Sequence, residues 1–207
     1  MDVTIIGAGN MARGIATRAL AGGSTVTLLD RDPAKASTLA GELGGTTRAG
    51  AYGDRLAGDA VVLAVPYPAL GDVLGRYGGE LAGRIVIDIT NPLDFGTFEP
   101  IHPAAGSAAQ EIAAAQPPAR VVKAFNTTFA GTLVSGVVAG QPLDVFLAGD
   151  DEQAKAAVAA LVEAGGLRAI DAGPLRRARE LEALGYLHIA LQQQLQTGFA
   201  SAVRVLA

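Results

Sequence analysis

The chain has 207 residues, half of them hydrophobic, a formal net charge of −4 and no cysteine. That length supports one substantial core rather than two full domains, and the lack of thiols excludes disulfides, thiol nucleophiles, thiolate-held zinc and cysteine-ligated iron–sulfur clusters. The acidic balance speaks against a nucleic-acid footprint, and the apolar runs end in Gly, Pro or charge too soon to span a membrane.

In chain order, Val3 to Ile6 form an apolar strand that runs into Gly7-Ala8-Gly9-Asn10-Met11-Ala12 and then into helix-forming sequence. Such a turn needs Gly7 to bend tightly and Gly9 to let the backbone approach a pyrophosphate, while small Ala12 permits close packing of helix on strand. The diphosphate of a dinucleotide then faces the amino-terminal end of the helix dipole. Met1 leads straight into the strand, with no basic leader or apolar signal core, which predicts a cytoplasmic chain. Further short β-rich runs at 26–29, 60–64, 85–89, 120–124, 145–148 and 167–171 alternate with alanine-rich helical stretches. That alternation predicts an α/β fold, a Rossmann-type doubly wound, mainly parallel sheet. Runs such as Val61-Val62-Leu63 and Ile85-Val86-Ile87 are apolar on both faces and belong in its middle.

Residues 104–118, rich in Ala and Pro, predict a helix bracketed by loops. Asp150 with Gln153 three residues later predicts a capped helix whose apolar face is Ala154, Val158 and Leu161 and whose stop is Gly165. From Pro174 to Ala207, Leu181, Leu184, His188, Leu191 and Leu195 recur at helical spacing, which predicts one long amphipathic helix or a pair, packed either on its own sheet or on a twin subunit. The organisation expected is a single NAD(P)-binding domain over 1–207, with 174–207 as a helical extension within it and Gly140 as a candidate inner boundary.

In a doubly wound sheet the ligand lies beyond the carboxyl ends of the strands. The residues there are Gly7 to Met11, Asp30-Arg31, Pro66-Tyr67, Thr90-Asn91-Pro92, Phe125-Asn126-Thr127 and Gly173-Pro174-Leu175, with Val65 and Ala124 beside them as further candidate coenzyme contacts. Asn91 and Asn126 suit a carboxamide or ribose, or simply local turns. Asp30, at the end of the second strand and about 20 residues past the turn, suits a ribose hydroxyl and favours NAD. Arg31 points to NADP instead, since its guanidinium can hold a 2′-phosphate or stack on adenine, and Lys35 one turn later offers a second cation or a solvated helix face.

These patches resemble the deazaflavin (coenzyme F420)-dependent NADP reductases and the related nucleotide domain of the six-transmembrane ferric reductases. The matching residues are Gly7-Ala8-Gly9-Asn10-Met11-Ala12, Asp88-Ile89-Thr90-Asn91-Pro92, Val121 to Asn126, Gly149-Asp150, Asp171 to Leu175 and Glu180 to Leu184, in the same order over nearly the whole chain. The resemblance implies NADP(H) on the glycine turn and on the basic residues after the second strand, and hydride transfer to a deazaflavin or flavin. It also implies a substrate contact at Arg179; Leu175, as an apolar wall of the slot, and Pro92, after Asn91, are the other candidate substrate contacts. A soluble chain is expected from the short apolar runs, and a homodimer from the C-terminal stripe. The chain departs from the deazaflavin pattern at Asp30, where Ser precedes the Arg, and at Asn126, Ala183 and Gly185, where His, Ser and Thr are expected.

Hydride transfer between a nicotinamide and a flavin-type ring needs no protein nucleophile, only two ring faces held close with water excluded. No catalytic acid or base is therefore assigned, and Asn126 is the candidate for orienting the nicotinamide. A carbonyl or imine acceptor would instead require a proton donor, for which Tyr67, His102 and Lys123 are the candidates by type and place. Lys123 otherwise reads as a strand-end lysine with its head in solvent, and His188, on an apolar stripe, as a satisfied core histidine. Two histidines without cysteine give no metal-site spacing. A third reading is a non-catalytic sensor of the NAD(P)H ratio, which the fold by itself leaves open.

Overall fold

The structure, a computed structural model, describes residues 1–94 and 96–206; Ala207, the last residue of the predicted extension, lies outside them. Strand β1 (Asp2–Ile6) leads into helix α1 (Asn10–Ala21), followed by β2 (Thr25–Asp30), α2 (Pro33–Leu43), β3 (Thr47–Ala51) and β4 (Ala60–Leu63). Then come α3 (Leu70–Leu81), β5 (Ile85–Asp88), α4 (Ala108–Ala115), β6 (Arg120–Lys123) and α5 (Ala130–Ser135). A small hairpin, β7 (Val137–Val138) and β8 (Gln141–Pro142), precedes β9 (Asp144–Gly149), α6 (Glu152–Ala164) and β10 (Arg168–Gly173). The chain ends with α7 (Ala178–Ala190), α8 (Gln192–Leu195) and an irregular tail.

The main sheet has eight strands in the order β10-β9-β6-β5-β4-β1-β2-β3. Strand order reverses beside β1, so the crevice beyond its carboxyl end is the topological switch point where ligands bind in doubly wound sheets. The six strands from β6 to β3 run parallel, while β9 pairs antiparallel with β6 and parallel with β10. The last two strands therefore point the opposite way from the other six, and β9 ends with Ala148 and Gly149 opposite Lys123 and Val122. One apolar layer joins the sheet to α1 and α6, through residues such as Ile15, Ala16, Val158 and Val162, and another joins its other face to α3 and α4, through Val73, Tyr77 and Ile112. Helices cover both faces, which explains why Val61, Val62, Val86 and Ile87 are all fully buried.

Two sequence expectations change here. Asp151, not Asp150, caps α6 by accepting from the Ala154 amide at 2.8 Å, while Asp150 accepts from the Leu175 amide at 2.8 Å and fastens the turn after β10. The C-terminal segment is helical only to Leu195. Gln196 adopts φ +51° and Phe199 φ +62°, which turns the chain back so that the Val205 amide donates to Asp144 at 2.8 Å. Of the predicted stripe, Leu181 and His188 bury against the chain's own core and Leu184 is half-buried, whereas Leu191 and Leu195 remain exposed. No helix among the described residues is long and apolar enough to cross a membrane.

Candidate functional site

The glycine turn is built by contact. Gly7 holds φ +112°, and a Cβ there would lie 2.3 Å from the Ala64 carbonyl oxygen, so neither a side chain's conformation nor its volume fits between β1 and β4. Gly9 is different: a Cβ there meets nothing within 4 Å. Gly9 is the N-cap of α1 and carries no side chain to satisfy the first-turn N–H groups of this 12-residue helix, which leaves donors and the positive end of a helix dipole facing open space. Ala8 contributes differently from the sequence expectation, because its amide donates to Asp30 Oδ2 at 2.7 Å. Gly14, one turn into α1, does the close-packing work expected of Ala12 on a second surface: a Cβ there would lie 2.7 Å from Leu133 Cβ of α5.

Two cavities flank this turn. The smaller, about 150 Å³, is lined by Gly7, Asp30, Arg31, Tyr52, Val65 and Pro66. The larger, about 500 Å³, runs from Gly9, Asn10 and Met11 past Val65, Pro66 and Tyr67 to Asn91 and Asn126, and is closed by Phe98, Phe129, Ile189 and Phe199. The adenosine and nicotinamide halves of a dinucleotide laid across the turn would each meet one of these spaces.

At the smaller cavity, Arg31 forms a 2.5 Å ion pair with Asp72 and its guanidinium lies 5.4 Å from the centre of the Tyr52 ring. The Tyr52 hydroxyl donates to Asp72 at 2.7 Å. These donors from Tyr52 and Arg31 hold the Asp72 carboxyl below its usual range, while burial and Asp72 push the Tyr52 phenol up to about 12. Lys35 is exposed on the first turn of α2 and does not line this cavity.

The far wall of the larger cavity is a pair of amides. Asn91 Nδ2 donates to the Asn126 carbonyl at 2.8 Å, and Asn126 Nδ2 donates both to Asn91 Oδ1 at 2.9 Å and to the Leu181 carbonyl at 2.8 Å. Among the described residues Asn126 Oδ1, which has almost no accessible surface, finds no hydrogen-bond partner, an uncompensated desolvation. Phe125, just before it, is held at φ +61°, an uncommon conformation for a bulky residue and a strain that persists only where surroundings fix it.

Beneath the amides lies a buried ion cluster that overturns the sequence reading of Lys123. Its side chain is fully buried, and Nζ donates to Asp88 Oδ2 at 2.8 Å, to Glu182 Oε1 at 2.7 Å and to the Thr90 carbonyl, which uses all three ammonium donors. Asp88 Oδ1 accepts from the Thr90 amide at 2.9 Å and from its hydroxyl at 2.8 Å. Glu182 accepts from the Ala108 amide at the start of α4. Burial pushes the Glu182 carboxyl up and the Lys123 ammonium opposes that rise. No feature of the sequence signalled the cluster, whose partners stand 35 and 59 residues from Lys123.

The proton-donor candidates are engaged or remote. Tyr67 lines the larger cavity, but its hydroxyl donates to Glu111 at 2.8 Å, and burial with the Glu111 carboxylate pushes the phenol up to about 12. His102 is exposed and lines neither cavity. His188 contacts the Thr127 carbonyl through Nδ1 at 3.2 Å and Ser201 through Nε2 at 2.8 Å, and it lies against Phe129 with 4.2 Å between ring centres, behind the cavity wall.

The expected substrate residues fall elsewhere. Leu175, in the turn after β10, packs with Val121 and Ile112 and lines a separate space with Gln110, Asp150 and Arg176. Arg179 is exposed and pairs with Glu180 at 2.8 Å. Pro92 and Ala124 are buried and do not line the larger cavity. The sequence reading missed Phe98, Phe129, Ile189 and Phe199, which approach the site from a loop, from the start of α5, from α7 and from the tail.

The sheet order and the glycine turn at its switch point define a Rossmann-type doubly wound fold. A family model described as NADP oxidoreductase, coenzyme F420-dependent, matches residues 2–92. The F420-dependent NADP reductase of Methanothermobacter thermautotrophicus is 32% identical over 209 residues, covering 92% of this chain and 89% of that protein. The chain belongs to this family. It is also 30% identical over 182 residues to metalloreductase STEAP3 of Rattus norvegicus, of which it spans 36%. A solved structure of a putative F420-dependent NADP reductase from Arthrobacter sp. FB24 superposes with a TM-score of 0.87 at 30% identity, covering 99% of each chain.

Proposed function

We propose that the protein is an NADPH-dependent reductase that transfers hydride between the nicotinamide and a deazaflavin of the F420 type. The observation that carries this reading is the 500 Å³ cavity between the open helix end at Gly9 and the Asn91–Asn126 pair. Its wall is largely apolar, and its tyrosine hydroxyl is committed to Glu111. Hydride transfer to a ring that needs no concurrent side-chain proton fits such a space; reduction of a carbonyl or imine requires a positioned acid.

NADPH, when bound, supplies the hydride from its nicotinamide ring. The chain's residues do the rest. The free amides at the start of α1 bind the pyrophosphate, Arg31 meets the 2′-phosphate, and Asp30 holds the turn in shape. Asn91 and Asn126, on the far wall of the cavity, would fix the ring's orientation through its carboxamide. Met11, Val65, Phe129 and Phe199 exclude water from the space between the two rings.

The test is a mixing assay of NADPH and NADH, each with oxidised F420, with flavins and with a panel of carbonyls and imines. NADPH oxidation matched by F420 reduction is the expected result. Turnover with a carbonyl or imine but not with F420 would reassign the acceptor, and no oxidation by any acceptor would leave a nucleotide-binding sensor.

A further inference from the structure

Asp88, Lys123 and Glu182 each stand three residues before Asn91, Asn126 and Gly185. The two sets form stacked layers. In the lower layer Lys123 joins the two carboxylates at 2.8 and 2.7 Å. In the upper layer the two asparagines exchange hydrogen bonds, and Gly185 lies so close that a Cβ there would sit 2.6 Å from Asn91 Oδ1 and 2.9 Å from the Asn126 carbonyl oxygen. The ends of β5 and β6 and the middle of α7 thus each carry one charged residue below and one amide or glycine above.

The layers are mechanically coupled. Asp88 fixes Thr90 through its amide and hydroxyl, and Lys123 grips the Thr90 carbonyl, so the residue before Asn91 is held from both sides. Glu182 ties α7 to Lys123 next to Leu181, whose carbonyl accepts from Asn126. Phe125, left-handed between Lys123 and Asn126, is held in that conformation from both ends.

We infer that the buried Asp88–Lys123–Glu182 cluster is a positioning device for the Asn91–Asn126 pair, and that Lys123 and Glu182 act on hydride transfer by holding those amides rather than by touching coenzyme. A buried ion cluster is a poor source of stability, since apolar residues of similar volume often serve as well or better, but it can specify one arrangement among several. The inference rests on the reading that the nicotinamide meets these amides.

The experiment compares two probes on Glu182→Gln: adenosine 2′,5′-bisphosphate, which carries the adenosine phosphates and no nicotinamide, and NADPH itself. The expected result is unchanged affinity for the bisphosphate, weaker NADPH binding, and a kcat with F420 lowered by about 100-fold, the scale of a 1 Å misplacement of reacting groups. Parallel loss of both affinities, or no change in NADPH binding and turnover, would overturn the inference. A second variant guards against misfolding: Asp88→Asn/Lys123→Met/Glu182→Leu replaces the cluster with a neutral one expected to fold at least as stably. It should keep the bisphosphate affinity and show the same loss in kcat; normal turnover in this folded variant would overturn the inference. If the unaltered protein bound neither probe, the reading of the site as a dinucleotide site would fail instead.

Discussion

The Ala8 amide, in the middle of the glycine turn, donates a 2.7 Å hydrogen bond to Asp30 at the end of β2. The other Asp30 oxygen accepts from the Asp32 amide at 2.9 Å, so the carboxylate staples the turn to the neighbouring strand. The acid that reads in the sequence as a sign of NAD thus has a structural task that is indifferent to the 2′-phosphate. Asp30→Ala is expected to weaken NADH and NADPH together, by about tenfold for the loss of charge-assisted hydrogen bonds, in parallel titrations. A shift of preference toward NADPH would show that Asp30 acts chiefly on the ribose.

The two glycines of the turn predict opposite outcomes. Gly7→Ala forces a Cβ to within 2.3 Å of the Ala64 carbonyl at φ +112° and should lower the melting temperature markedly. Gly9→Val occupies open space at an ordinary φ of −86°. It should melt as the unaltered protein does yet lose NADPH binding. Retained binding in Gly9→Val would mean that the pyrophosphate does not pass over Gly9.

Arg31→Ala should weaken NADPH more than NADH, and equal losses would assign Arg31 to adenine stacking. Asp72 predicts the converse. Its carboxylate, 2.5 Å from Arg31, competes with a 2′-phosphate for the guanidinium and repels it. Asp72→Asn is therefore expected to tighten NADPH by roughly threefold to tenfold at low salt, less at high salt, and to leave NADH unchanged. Weaker NADPH binding would mean that Asp72 holds Arg31 ready for the phosphate.

His188 sets a pH dependence of stability. Burial lowers its folded pKa below the ordinary 6.5 while the Thr127 carbonyl partly opposes that, so below about 6.5 the unfolded chain binds a proton that the folded chain resists. Thermal stability should fall as pH drops below that value. In His188→Gln the same acid scan should be flatter, and an unchanged slope would place the sensitivity elsewhere.

The site was legible where local chemistry determines it. The tight bend at Gly7, the open approach at Gly9 and the asparagines at strand ends follow from a parallel sheet, and the structure brings Asn91 and Asn126 into direct contact. Strand direction was not legible. Nothing in the apolar runs of β9 and β10 distinguishes up from down, so Leu175 was expected on the cavity rim and instead lines a separate space, while Arg179 is exposed beside Glu180. β3 escaped notice because Thr47–Ala51 is an edge strand of sequence TRAGA with no apolar alternation. Lys123 was misread because only long-range topology delivers its two carboxylates. Phe199 reaches the cavity through a left-handed turn that no helical periodicity announces.

The central claim is that free amides at the start of α1 hold a pyridine dinucleotide across two cavities. Calorimetric titration of NADPH and NADH into the purified protein and into Gly9→Val tests it most directly. The account predicts one site per chain in the unaltered protein, tighter for NADPH, and none in the variant. Absence of binding by the unaltered protein, or equal binding by both proteins, would contradict it.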